Sequence, residues 1–348
     1  MMPLSFLPAC RPLLLGSLPY RSASQAISTT RRYAADIMVW PHLPQRSFRE
    51  TSVVQSAAGF PGLVVDAMHR RVYVDRANAE EGLAQLGLAY LKHDISYGAL
   101  PDEDVSGLVE LHRQRESLRS VRAVKSQLMG PISLAAHLTD EDERPLMYDD
   151  TLFEALTHHL YLRAAWQSSQ IAELNSNIII CLDEPFLDSA ALPFLPLDWE
   201  RVHEALNEVF RAVDGSRAIF VGSAAHLHTI VETSADLVIS DALAPGSVLW
   251  SDPPALAALL ERQGMLGLGV VPISVEELEQ RSAEQLVDLI EHVVSQLQPH
   301  GIDLIRLLSH SFLTPQATLG QVAPEVADQI LEKLDQVSQQ CRQRYGLE

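Results

Sequence analysis

At 348 residues, 47% of them hydrophobic and 20% charged, the chain is long enough to bury a large core and too apolar to be disordered. Its net charge of −19 comes from 26 Lys and Arg against 45 Asp and Glu; a field of that sign repels phosphate backbones and anionic lipid, so nucleic acid and membrane surfaces are not expected partners. Three cysteines, Cys10, Cys181 and Cys341, are too few and too widely spaced for a disulfide framework or a CxxC metal clip, and the cytoplasm is the expected compartment.

The first 35 residues carry several arginines and no acid around an apolar PLLLG, a composition shared with transit peptides and secretory signals. Pro8, Arg11 and Pro12 interrupt the apolar stretch and no small-residue cleavage site follows cleanly, so this segment is expected to belong to the fold. PLLLGSLP (12–19) reads as a first strand, followed by the helical SASQAISTTRRYA. IMVWPHLP (37–44) reads as a second and AVKSQLMGP (123–131) as a third. Between these two lies a long interval, 45–120, in which GLVVDAMHRRVYVDR (62–76) alternates like a β-hairpin and helices are expected around 78–93 and 104–118.

NIIICLDEP (177–185) is the fourth run, and Cys181 within it reads as a small buried hydrophobe. AIFVGS (218–223), ADLVISDA (235–242), MLGLGVVPIS (265–274) and DLIRLLSHS (303–311) complete a set of eight. The stretches between the later runs, such as DWERVHEALNEVFRAV and SAEQLVDLIEHVVSQL, place apolar residues at i, i+3, i+4 and i+7, often behind an Asp, Ser or Pro suited to a helix start. Continuous apolar strands alternating with helices indicate a parallel sheet covered by helices, and eight units indicate a (β/α)8 TIM barrel spanning 1–348 as one domain. No GxGxxG follows the first strand, which disfavours a doubly wound sheet. The 45–120 insertion after the second strand is expected to emerge at the barrel mouth as a lid or wall.

In a barrel the C-terminal strand ends converge on one site. Here they carry Gly16-Ser17, His42, Gly130-Pro131, Asp183-Glu184, Gly222-Ser223, Asp241, Ser274 and His310. Ser223 and Ser274 read as helix caps, and Asp241 is balanced between a structural and a functional role. His310, flanked by serines, suits a rim. His158 and His159 read as mid-helix packing residues. Adjacent Asp183 and Glu184 point in opposite directions if extended, so one faces the mouth and the other a neighbouring loop.

VKSQLMGPISLA (124–135) together with IIICLDEPFLDS (178–189) resembles the cobalamin-independent methionine synthase and uroporphyrinogen decarboxylase superfamily. Barrels of that superfamily carry Gly-Pro-[IVL]-[ST]-Leu after one strand and Asp-Glu-Pro after the next. LLLGSLPYRSASQAI (13–27) is similar to the Ile-Gly-Ser-[FL]-Pro start of the same barrel, and FRETSVVQSAAGFPG (48–62) to its following acidic segment. The resemblance implies that the Gly16-Ser17 backbone receives an amino-acid carboxylate, that Asp183 holds its ammonium, and that Glu50 is a second ammonium partner. Gly130 and Glu184 join the substrate-binding set, and Asp183, Asp241 and His310 are the candidate catalytic side chains.

The methionine synthases hold zinc through a His-x-Cys after the fifth strand, a Glu after the sixth and a Cys after the eighth, and the metal holds the attacking thiolate. Here FVGSAAH puts Gly222 and Ala224 near the His and Cys positions, the sixth tip offers Asp241, and LLSHSFL has no Cys. His226 and His228, two apart, are poorly spaced ligands on a helix. No zinc is therefore expected. By resemblance, the reaction is methyl or one-carbon transfer on a small amino-acid-like or carboxylated substrate, with a folate or corrinoid methyl donor. Expected partners are that substrate and either a corrinoid protein or a second copy of the chain. Two alternatives stand beside this reading. One is a uroporphyrinogen decarboxylase-like enzyme, for which Arg11 and Arg21 lie near the first tip; the other is a non-catalytic small-molecule binder that kept the barrel and lost the metal.

Overall fold

A computed structural model describes residues 4–191, 197–222 and 227–347. Its centre is a curled parallel sheet of seven strands, a TIM-like barrel wall. In spatial order these are β1 (Ile37–Val39), β4 (Ala123–Met129), β6 (Ile178–Glu184), β7 (Ser216–Val221), β8 (Leu237–Asp241), β9 (Met265–Val271) and β10 (Ser311–Pro315). Every pairing within it is parallel, and β4, β6 and β9 are buried along their whole length, as strands covered on both faces must be.

The two faces sort by alternation. On β6, Ile179 and Cys181 join an inner cluster with Leu13, Ile37, Ala123 and Phe312, whereas Ile178, Ile180 and Leu182 pack outward among the helices. Ser22 caps the helix Ala23–Tyr33, and Ser282 and Gln285 form a reciprocal capping box on Ala283–Ser295. Helix Trp199–Phe210 occupies the stretch read as amphipathic at DWERVHEALNEVFRAV, and helices Asp150–Ala172, Pro253–Glu261 and Pro324–Tyr345 lie before β6, before β9 and after β10.

The run at 12–19 forms no regular strand, but it is hydrogen-bonded at both ends. Leu13 N donates to Leu313 O of β10 at 2.8 Å, and His42 N, just past β1, donates to Gly16 O at 3.0 Å. Residues 9–18 thus connect the two edge strands of the curled sheet.

The eighth run needs correction. Asp303 accepts from the amide of Arg306 and opens a helix, Leu304–Ser309, and the strand follows at Ser311–Pro315. Leu304, Leu307 and Leu308 share a helical face at i, i+3 and i+4, a pattern that a short apolar run shares with a buried strand.

Within 45–120 a second, small sheet forms. β2 (Leu63–Asp66) and β3 (Arg71–Val74) pair as an antiparallel hairpin, and β5 (Thr139–Asp140), which follows β4 in the chain, adds to β3 in parallel. Helices Arg76–Leu91 and Ser106–Arg113 complete the stretch. Among the described residues no helix is long and apolar enough to cross a membrane.

Candidate functional site

The question posed by Asp183-Glu184 is decided by the strand's alternation. Asp183 continues the inner face of Ile179 and Cys181, and the Cys181 thiol lies 3.6 Å from its Oδ1. Glu184 continues the outer face, where Oε1 accepts from Ile132 N at 3.0 Å and Oε2 from Ser133 N at 2.7 Å. Glu184 is therefore a buried cap on the helix Pro131–His137, and the sequence-based substrate-binding role is corrected to that structural one. Gly130 serves the same junction. Its amide donates to Asp183 O at 2.9 Å, and a Cβ there would overlap the Glu184 carboxylate.

Both carboxylates are shifted. Burial pushes Asp183 up to about 6, with the charge of Lys125 and the Cys181 thiol pulling it back. Burial pushes Glu184 up to about 7, opposed by its donors on Ser133 and Ile132 and reinforced slightly by Asp183.

Below Asp183 the inner face of β4 is polar. Lys125 and Gln127 alternate with outward residues in AVKSQLM and share the face of Ala123. Lys125 is fully buried and donates from Nζ to Leu15 O and to Gln127 Oε1, both at 3.2 Å. Gln127 donates to Trp40 O at 2.9 Å and lies under Gly16, where a Cβ would collide with it. Gly16 has a φ of +117°, so both conformation and space demand glycine. The amides of Gly16 and Ser17 donate to no other described residue, whereas Leu18 N reaches His42 O at 3.0 Å. His42 itself is buried, and among the described residues neither ring nitrogen has a well-formed hydrogen bond; burial, helped by Lys125 and weakly opposed by the Gln127 backbone, lowers it to about 3, so its imidazole is neutral.

The remaining candidates fall elsewhere. Asp241 does sit at the C-terminal end of β8, but its Oδ1 accepts from Leu243 N, Ala244 N and Gln316 Nε2. Burial raises its pKa and these three donors oppose the shift. Glu50 is buried in a short turn, paired with Arg46 and accepting from Ser106 Oγ at 2.9 Å, with its pKa raised by burial. Both of its oxygens thus have protein partners. His310 is placed at the wrong end of the barrel for the expected role: it precedes β10, its carbonyl accepts from Leu266 N near the start of β9, and its Nδ1 lies 3.2 Å from Gly264 O. Arg11 is at that end too, bonded to Asp36 at 2.7 Å, immediately before β1. Ser274 caps the helix Val275–Gln280, and His159 is fully buried against Ser56 O. Ser223, Ala224 and His226 lie outside the described residues.

The sequence-based site omitted Lys125, Gln127 and Asp188. A buried-strand pattern interrupted by Lys125, Ser126 and Gln127 was a readable signal for the first two. Asp188 was not readable, because only folding lays its carboxylate over Gly222, where a Cβ would overlap it.

Among the described residues the donor set does not fit a zinc ion of the methionine synthase kind. Gly222 has no side chain and its Cβ space is filled by Asp188. Asp241 Oδ1 is taken up by its loop and by Gln316, and the end of β10 offers Thr314, Pro315 and Gln316 rather than a thiol. Among the described residues no three His, Cys, Asp or Glu side chains converge as a metal site.

No family model matches the chain, and neither does any curated protein. Solved structures resemble it. A methyltransferase from Methanosarcina mazei superposes over 98% of this chain and 95% of its own, with a TM-score of 0.57 and 13% identity. A candidate vitamin-B12-independent methionine synthase from Listeria monocytogenes covers 95% of this chain and 98% of its own, with a TM-score of 0.58 and 11% identity. A B12-independent methionine synthase from Shewanella sp. W3-18-1, in complex with selenomethionine, matches over 68% of this chain and 67% of its own, with a TM-score of 0.48 and 11% identity. At such identities the first two likenesses are likenesses of architecture: this chain has a methionine synthase-like barrel fold.

Proposed function

We propose that this chain is a methionine synthase-like enzyme that binds a small amino-acid-like or carboxylated substrate at the barrel mouth and transfers a one-carbon group without the usual zinc. One observation carries the reading. Asp183 is a buried carboxylate facing the barrel interior, and among the described residues its hydrogen-bond donor is a thiol at 3.6 Å. A buried carboxylate this poorly partnered is costly by itself and is satisfied by a cation that arrives with a ligand. Gly16 and Ser17 support the same reading, since among the described residues their amides donate to no acceptor and suit the ligand's own carboxylate.

In this reading residues 12–17 act as the first stave of a (β/α)8 barrel and 45–120 as a lid or wall over its mouth. The methyl donor, a folate or a corrinoid carried by a partner protein, is a second substrate. Asp183 orients the amino group, Gly16 and Ser17 fix the carboxylate, and Lys125 beneath them keeps the barrel interior from being uniformly acidic. The missing zinc donors favour a second reading, a non-catalytic binder of the same ligand class. The decarboxylase alternative is weakened by Arg11, which is tied to Asp36 at the other end of the strands.

Calorimetric titration with L-methionine and L-homocysteine, alongside their N-acetyl derivatives, tests the site. Only the free amino acids should bind, with affinity falling as pH drops through about 6 and Asp183 is protonated. Asp183→Asn should weaken binding roughly tenfold or more, the worth of a charge-assisted hydrogen bond. Equal binding of the N-acetyl forms would overturn the assignment. Methylated product formed from a methyl donor separates the enzyme from the binder.

A further inference from the structure

Cys10 and Cys341 are 331 positions apart in the chain, yet both are fully buried and their sulfur atoms lie 3.4 Å apart. Their wide sequence spacing gave no sign of a pair, but folding brings the two together. Cys10 lies in the segment that connects the sheet edges, and Cys341 lies near the end of the helix Pro324–Tyr345. The backbone at Cys10 is unusual. Ala9 and Cys10 are consecutive non-glycine residues in the left-handed region, with φ of 49° and 56°. Hydrogen bonds from Ala9 N to Ser309 O at 2.9 Å and from Cys10 N to Ser311 O at 2.7 Å hold them there. A strained backbone pinned by its neighbours keeps one thiol against the other. Burial, and then the adjacent Cys341 thiol, push the Cys10 thiol well up against the weaker opposing charges of Arg342 and Arg11, so the closed structure keeps it protonated.

We propose that Cys10 and Cys341 are a cross-linking site, closed to an intramolecular disulfide by exchange with a low-molecular-weight disulfide, which ties the N-terminal barrel segment to the last helix. One protein thiolate attacks a sulfur of the small disulfide, forming a mixed disulfide and releasing one small thiol. The second protein thiolate then displaces the other half, forming the Cys10–Cys341 bond and releasing the second thiol. The protein loses two electrons and two protons, and the two released thiols carry them. Because both sulfurs are buried, exchange requires local opening of the segment, and excess small thiol reverses it. Cys181 is not part of the site, since its thiol faces Asp183 in the barrel interior.

The test is to incubate the full chain with oxidised glutathione, quench with an alkylating agent in denaturant and weigh the intact protein. Before oxidation all three cysteines should be alkylated. Afterwards only Cys181 should be, with a peptide linking Cys10 to Cys341, and reduction should restore all three. The melting midpoint of the oxidised protein should rise by roughly 5 °C, the scale expected for closing a loop of this length in a chain of this size. Cys181→Ala should behave like the wild type, and Cys341→Ser should stop at a glutathione adduct on Cys10 or remain unmodified. Three alkylatable thiols after oxidation, persistent glutathione on the wild type, or a bond that includes Cys181 would each overturn the proposal.

Discussion

Replacing Glu184 by Gln sets two opposing effects against each other. Full burial drives the carboxylate towards its protonated form, whereas two backbone amides, at 3.0 and 2.7 Å, and the start of a helix favour the charge. The net result raises the group from an ordinary 4.5 to about 7. Because the folded value lies above the unfolded one, the native state binds this proton more tightly. Its contribution to stability is present in full below pH 4.5 and is lost as pH rises through 7. The shift corresponds to about 3 kcal/mol, of which about 2.5 kcal/mol disappears between pH 5 and pH 8. Glutamine does not titrate, and its amide group turns a donor towards one of the two N–H groups, at a cost of about 1–3 kcal/mol. Urea unfolding should therefore find the wild type more stable than Glu184→Gln at pH 5, with the gap closing or inverting by pH 8. A gap that stays constant or widens with pH would refute the reasoning and show that the amide donors outweigh desolvation.

Gly222→Ala forces a methyl group onto the Asp188 carboxylate and should cost roughly 1–3 kcal/mol in thermal or urea unfolding. Adding Asp188→Ala to it should cost less than the two single changes summed, and strict additivity would show that the two positions do not share space. His310→Ala should lower stability by about 1–2 kcal/mol through its lost contact with Gly264 O while leaving amino-acid binding unchanged, because it lies at the opposite end of the strands from Asp183. Weakened binding with intact stability would restore the site role that its sequence position suggested.

The architecture was legible because its signals are local and redundant. The strands at 37–39 and 265–271 are continuous apolar runs, that at 178–184 is apolar up to its last two residues, and Asp198, Ser282 and Asp303 each mark a helix start through their own side chains. The same locality explains the error at 303–311. A stretch as short as LIRLL does not declare its period, and the Asp303 cap was the cue that outweighs it. Misplacing that one strand also carried His310 to the wrong end of the barrel. The division of labour between Asp183 and Glu184 could be anticipated, since neighbours on a strand face opposite ways, but which of them faced inward could not.

Composition and period were enough by themselves to indicate a helix-covered, barrel-like parallel sheet, because strand burial and helix amphipathicity are written into consecutive residues. Only the tertiary structure decided which groups meet. It put Lys125 and Gln127 beneath Gly16, closed Glu50 around Arg46 and Ser106, laid Asp188 over Gly222, and brought Cys10 against Cys341 from opposite ends of the chain. Those contacts depend on how far the sheet curls and on how its edges are connected, and no single segment of sequence carries that information.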